Sequence, residues 1–178
     1  DSKYQVSIKS ICDQVTEATK LIYLANPNNP TGTYLKRIEI VKLMQSLPKQ
    51  VVVVLDGAYA EYVIEKDYDK GFSLVDEFEN IIITRTFSKS YGLAGLRIGW
   101  CYAGSKITSI LNKVKGPFNT TCVSQEIAIA ALKDQDHINR VANKNIEVKK
   151  WFENELRYLN INTRPSFANF SFVETTQD

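Results

Sequence analysis

Val51-Val52-Val53-Val54-Leu55 is an unbroken apolar run that stops at Asp56-Gly57-Ala58-Tyr59. A β-branched run this short, closed by a polar turn, reads as a strand buried on both faces, as in parallel sheets. Upstream, Leu35, Ile38, Val41, Leu43 and Leu47 recur at helical spacing until Pro48 stops them. Before that helix, Leu21 to Ala25 predicts another short strand, running into Asn26-Pro27-Asn28-Asn29-Pro30-Thr31-Gly32. Downstream, Ile81-Ile82-Ile83 predicts a third strand ending at Thr84 to Thr86, and Arg97 to Ala103 a fourth. Helical patterns follow over Ile107 to Val114, Ser124 to Lys133 and about Ile138 to Leu159. Phe170 to Val173 closes the chain as a strand-like run with no following partner. Strands alternating with helices imply an α/β fold: a mainly parallel sheet with flanking helices, and the opening of a smaller α+β domain after it.

Three predicted strands end in polar groups that packing does not require. The first leads to Asn29, the second to Asp56 and Tyr59, the third to Thr86, Ser88 and Lys89. Ligands of open parallel sheets bind beyond the carboxyl ends of the strands, so these groups can converge on one crevice. Alone, each is ordinary. A lysine is usually a solvated charge, an aspartate after a strand usually a turn or cap residue, and a tyrosine usually packing with a wet hydroxyl. Their order and shared strand-end position make the case.

Composition narrows the classes. The chain has 178 residues, 44% of them hydrophobic and 24% charged, which suits one well-packed soluble unit and excludes long disorder. A net charge of +2 with both signs scattered gives no basic surface for nucleic acid or membrane. Cys12, Cys101 and Cys122 lie far apart beside a single histidine, His137. A disulfide framework and a zinc site are both poor readings of that set, so no metal is expected. Reduced thiols in a cytoplasmic setting are expected, with the thiols as small packing groups. The longest apolar run is too short to span a bilayer. Asp1-Ser2-Lys3-Tyr4 carries neither an initiator Met nor a secretory signal, which reads as a trimmed or partial product.

The motifs Asn26-Pro27-Asn28-Asn29-Pro30-Thr31-Gly32, Asp56-Gly57-Ala58-Tyr59, Thr86-Phe87-Ser88-Lys89 and Gly92-Leu93-Ala94-Gly95-Leu96-Arg97-Ile98-Gly99 together resemble fold-type I pyridoxal-phosphate aminotransferases. The doubled asparagine, the Gly92 to Arg97 run, Pro117-Phe118-Asn119 and Ala168-Asn169-Phe170 make the histidinol-phosphate aminotransferase branch the nearest match.

The resemblance implies a cofactor, pyridoxal 5'-phosphate, and a role for each position. Lys89 would bond covalently to the cofactor and then carry the proton in the reaction. Asp56 would pair with the pyridine nitrogen, and Tyr59 and Asn29 with the phenolic oxygen. Thr86, Ser88 and Arg97 would hold the phosphate, for which a guanidinium fork is well shaped. The implied reaction moves an amino group between histidinol phosphate or imidazole acetol phosphate and glutamate or 2-oxoglutarate, a step of histidine biosynthesis. Its partners would be a small-molecule amino donor, a 2-oxo acid and a second copy in a homodimer.

Other readings of the same resemblance are an aromatic-amino-acid aminotransferase, a threonine-phosphate decarboxylase-like enzyme, and an aminotransferase-like sensor domain of a transcription regulator. An inert remnant would not be expected to keep Asn29, Asp56, Tyr59, Lys89 and Arg97 together. Residues 1–150 resemble part of the large cofactor-binding domain and residues 151–178 the start of the small C-terminal domain. The family's upstream and downstream segments, with further phosphate contacts, a ring that stacks on the cofactor and a carboxylate-binding arginine, do not occur in these residues. The chain by itself is therefore expected to be inactive. His137 and the lysines Lys144, Lys149 and Lys150 read as surface residues of the long helix, and Ile127 to Leu132 as a core helix.

Overall fold

In the computed structural model, which describes residues 4–174, β1 (Leu21–Ala25), β2 (Val52–Asp56), β3 (Ile81–Thr86) and β4 (Gly99–Ala103) form one sheet in chain order. β1, β2 and β3 run parallel, whereas β4 returns antiparallel along β3. The register sets Ala25 beside Asp56 and Asp56 beside Thr84, so the polar ends of three strands line up at one edge. The alignment follows from the apolar runs, because slipping one strand by a residue would turn its buried face outward.

Before the first strand lies α1 (Ile8–Gln14); α2 (Arg37–Ser46) and α3 (Phe72–Glu77) connect the parallel strands. Helix α2 starts where Glu39 reaches back to accept from the Lys36 backbone N–H at 2.9 Å, and it buries Ile40, Leu43 and Met44. These pack with Leu74 and Val75 of α3 on Leu24, Val53, Leu55, Ile81 and Ile83, which form the main core. Deleting one such side chain, as in Leu43→Ala, costs about 2–5 kcal/mol. Ile38, from the same predicted helix, is exposed because it falls on the outer side of α2.

After β4 come α4 (Ser105–Val114), α5 (Cys122–Lys133) and α6 (Gln135–Tyr158). Asp134 separates the last two and accepts from the His137 backbone N–H at 2.9 Å, so a new helix begins there. α6 packs Val141 against Tyr59, Tyr62, Ala168 and Phe170.

Five sequence expectations change. The fourth strand starts at Gly99 because Arg97 adopts a left-handed backbone, φ 49°, which breaks extension. The closing run is shorter than Phe170 to Val173: β6 (Phe172–Val173) pairs antiparallel with β5 (Thr163–Arg164), which precedes it in the chain. Helix α5 is not a core helix: only a narrow stripe, Ser124 and Ala128, is buried, with Ala128 packed on Phe87 and Ile98. Val123, Ile127, Ile129 and Leu132 stay exposed. Lys149 is not on a solvated face; it is half-buried and donates to the Ser166 carbonyl. Finally, Cys101 and Cys122 are exposed rather than packed, since β4 lies at the sheet edge and Cys122 opens α5.

Candidate active site

The turn after β1 is held by its own polar groups. Asn26 is buried; its Oδ1 accepts from the Leu35 backbone N–H at 2.7 Å, and its own backbone N–H donates to the Asp56 carbonyl at 2.8 Å. The Asn28 carbonyl accepts from Gly32 N–H at 2.7 Å, closing the loop. Gly32 has φ +73°, and a Cβ there would collide with the Ser166 side chain. Only glycine meets both conditions. The Phe167 N–H donates to the Gly32 carbonyl at 2.8 Å, so this loop is strapped from the far end of the chain. Asn29 lies at its tip, exposed.

The turn after β2 carries Asp56 and Tyr59. Asp56 is exposed, and its Oδ1 accepts from the Ala58 N–H at 3.0 Å, which fixes its rotamer at the strand end. Tyr59 is buried; its hydroxyl takes a hydrogen bond from the Asn29 amide, and its ring meets that of Phe170 edge to face with centroids 5.2 Å apart. A tyrosine so placed presents a fixed phenol from an apolar socket.

Beyond β3, the Thr86 hydroxyl accepts from the Ser88 N–H at 3.1 Å. The Lys89 carbonyl accepts from Gly92 N–H at 2.9 Å, and the Leu93 N–H returns to the Phe87 carbonyl at 2.9 Å. These bonds fold residues 86–93 into a compact loop with Lys89 exposed and its Nζ 5.5 Å from the centroid of the Tyr59 ring. Arg97 is exposed and its Nη1 donates to the Ala94 carbonyl at 2.8 Å. Its neighbour Ile98 accepts from the Phe87 N–H at 3.3 Å, and Gly99 pairs with Thr86 in the sheet. Arg97 therefore stands at the entrance of the strand that flanks Thr86.

The chain thus joins Asn29, Tyr59 and Lys89 through direct contacts and sets Asp56 on the adjoining strand end. Thr86 and Ser88 share one loop with Lys89. Arg97 reaches this group through backbone pairing, its guanidinium being engaged locally. The strand ends thus offer an amine, a carboxylate, a phenol and an amide, with two hydroxyls on the Lys89 loop and a guanidinium at the start of β4.

Two parts of this neighbourhood were not read from sequence. One is Ser166 over Gly32, where the small residue at position 32 was the only signal. The other is Arg85, buried beneath the Asp56 turn with Glu61 beside it. An arginine inside the apolar Ile81 to Thr86 strand was the clue to it.

Comparison with known proteins agrees with the geometry. The chain is 45% identical over 170 residues to a histidinol-phosphate aminotransferase of Pelagibacter ubique, covering 96% of this chain and 47% of that protein. It is 46% identical over 167 residues to the enzyme of that name from Granulibacter bethesdensis, covering 94% and 45%. The chain spans about half the length of the curated relatives it matches. Among solved structures, histidinol-phosphate aminotransferase from Sinorhizobium meliloti in complex with pyridoxal-5'-phosphate superposes with a TM-score of 0.89 at 33% identity. That match covers 97% of this chain and 47% of the other. The fold, a mainly parallel sheet with flanking helices, is the one expected of fold-type I enzymes. Residues 1–176 match the family described as Aminotransferase class I and II, and the chain belongs to that family.

Proposed function

We propose that this chain carries the cofactor-binding part of a pyridoxal-phosphate-dependent aminotransferase. The observation that carries the reading is the convergence of three strand-end turns: the Lys89 amine lies 5.5 Å from the Tyr59 ring centroid, and the Tyr59 hydroxyl takes the Asn29 amide at 3.1 Å. Asp56 stands at the end of the strand between them.

The donor set fits the cofactor group by group. An amine suits its aldehyde, a carboxylate its pyridine nitrogen, and a phenol with an amide its phenolic oxygen. Two hydroxyls and a guanidinium suit its phosphate. When bound, the cofactor supplies an electron sink for charge that develops on the substrate α-carbon.

The protein's own groups then divide the work. Lys89 would hold the cofactor through its amine and would be the group placed to take up and give back a proton at the substrate α-carbon. Asp56 would pair with the ring nitrogen, and Tyr59 and Asn29 would hydrogen-bond the phenolic oxygen. Thr86, Ser88 and Arg97 would hold the phosphate.

The substrate pair in this proposal is histidinol phosphate or imidazole acetol phosphate with glutamate or 2-oxoglutarate, supported by the names of the relatives above. The test compares half-reactions of the full-length protein with histidinol phosphate, phenylalanine and threonine phosphate, following the cofactor's absorbance. Fastest conversion with histidinol phosphate is expected. Faster conversion with phenylalanine, or carbon dioxide release from threonine phosphate, would transfer the reading to those enzymes.

The same proposal covers setting and assembly. Residues 1–150 are read as part of the large domain and residues 151–178 as the start of the small one, supported by the separate β5–β6 sheet. A cytoplasmic setting is supported by three unpaired thiols. A homodimer is supported by exposed apolar residues on α4 and α5, among them Val114, Ile127 and Ile129.

A further inference from the structure

The strand that delivers Thr86 and Lys89 also buries a cation. Strand alternation turns Arg85 away from the face of Thr84 and Thr86, and its side chain is only 2% exposed. A guanidinium out of water must find partners, and this one finds several on both sides of the site. Its Nη1 donates to the Thr84 carbonyl at 3.0 Å and its Nη2 to the Lys70 carbonyl. Its Nε lies 3.5 Å from Oε1 of Glu61, itself 9% exposed. The rings of Phe72 and Trp100 flank it, with centroids 6.0 and 5.9 Å from the guanidinium carbon.

Those partners converge on the turn between Asp56 and Tyr59. Glu61 follows Tyr59 by two residues, in the 3-10 turn Ala60–Tyr62. Gly57 follows Asp56 directly, and a Cβ at Gly57 would fall on Nη1 of Arg85. The guanidinium therefore fills the space that a side chain at position 57 would need. The Thr84 carbonyl accepts from both Arg85 and the Gly57 N–H, the latter at 3.0 Å. One end of β3 is thus bolted to the turn of β2 by charge, by shape and by a shared acceptor.

We propose that Arg85, seated in the space left by Gly57 and paired with Glu61, is a positioning residue that fixes Asp56 and Tyr59 relative to Lys89. The proposal rests on the reading of this crevice as a pyridoxal phosphate site. Stability alone is a weak reason for the pair, because well-packed apolar residues of similar volume often replace a buried ion pair at little or no cost. Apolar residues cannot replace the directional bonds to the Thr84 and Lys70 carbonyls, which hold the guanidinium against Gly57 and beside Glu61.

The experiment uses the full-length protein and three variants: the double change Arg85→Met with Glu61→Met, the single change Arg85→Lys, and Gly57→Ala. Pyridoxal phosphate is titrated into each apoprotein and followed by absorbance. Thermal midpoints, kcat and KM are measured alongside. The double variant is expected to melt near the wild type yet bind the cofactor roughly tenfold or more weakly, with kcat falling more than the KM for the amino donor. Arg85→Lys, which keeps the charge but not the fork, should fall between. Gly57→Ala should weaken cofactor binding by displacing the guanidinium without removing it. Wild-type cofactor affinity and spectrum in any variant that folds would overturn the proposal. If the double variant does not fold, Gly57→Ala and Arg85→Lys decide by the same criterion. A wild-type protein that takes up no cofactor would bring down the functional reading itself, an outcome distinct from variants that match a cofactor-loaded wild type.

Discussion

The side-chain amide of Asn29 donates to the Tyr59 hydroxyl at 3.1 Å, tying the turn after β1 to the turn after β2. The bond orients both groups before any ligand arrives. Asn29→Ala leaves the phenol unsupported and should weaken pyridoxal phosphate binding about three- to tenfold, the range of one net hydrogen bond. Tyr59→Phe should lose a similar amount, and the double change less than the sum of the two. Absorbance titration of the four apoproteins gives the coupling directly.

Lys89 is the amine proposed to bind the cofactor covalently. Borohydride reduction of the loaded protein followed by peptide mapping should place the pyridoxyl group on Lys89. Lys89→Ala should abolish turnover while still docking cofactor without a covalent bond. Label on another lysine would refute the assignment.

Asp56 lies exposed at the end of β2, with its carboxylate fixed by the Ala58 N–H. Asp56→Ala removes the charge proposed to face the ring nitrogen and should lower kcat by several orders of magnitude, with a smaller change in KM. Asp56→Glu should retain more activity. Steady-state kinetics of both variants, with normal rates in Asp56→Ala, would reduce this carboxylate to a turn residue.

Lys149 gives a pH test of packing away from the crevice. Burial holds its pKa below the ordinary 10.5, with Glu153 pulling the other way. Between the lowered value and 10.5 the folded chain binds fewer protons than the unfolded one. Stability therefore gains as pH rises through that window, and the burial penalty is fully present below it. Lys149→Met lacks this step, so the melting midpoint of the wild type relative to the variant should improve as pH rises towards 10.5. A difference constant across that range would mean the amine is freely hydrated.

Much of this layout was legible in the chain itself. Val51 to Leu55 and Ile81 to Ile83 declare strands because β-branched residues have few other places to pack, and their polar ends declare the crevice. Local pattern says nothing of partners distant in sequence. The two-residue strands Thr163–Arg164 and Phe172–Val173 have no period to detect. Arg85 and Glu61 each look like an ordinary charge until β3 and the 3-10 turn are brought together. The exposed residues of α5 mislead for a related reason: a run of apolar residues does not say which of them the rest of the fold will cover.

These 178 residues, expressed by themselves, should not transaminate at an enzymatic rate and should self-associate. Val123, Ile127, Ile129 and Leu132 on α5 and the fully exposed Phe118 leave apolar surface uncovered. Sedimentation velocity should show dimers or larger species. Addition of glutamate to the polypeptide with pyridoxal phosphate should leave the spectrum nearly unchanged. Rapid conversion by a monomer would contradict both expectations.

Ser166 seated over Gly32 and Phe170 against Tyr59 also bear on how the molecule is made. The turns that hold Asn29 and Tyr59 leave the ribosome early, whereas the residues that cover them lie over a hundred positions later. Loop closure over such a length costs only logarithmically more, so the cover is late rather than weak. At ordinary elongation rates the delay is on the order of ten seconds. Throughout that interval the nascent chain lacks both the Phe170 ring against Tyr59 and the Ser166 side chain over Gly32.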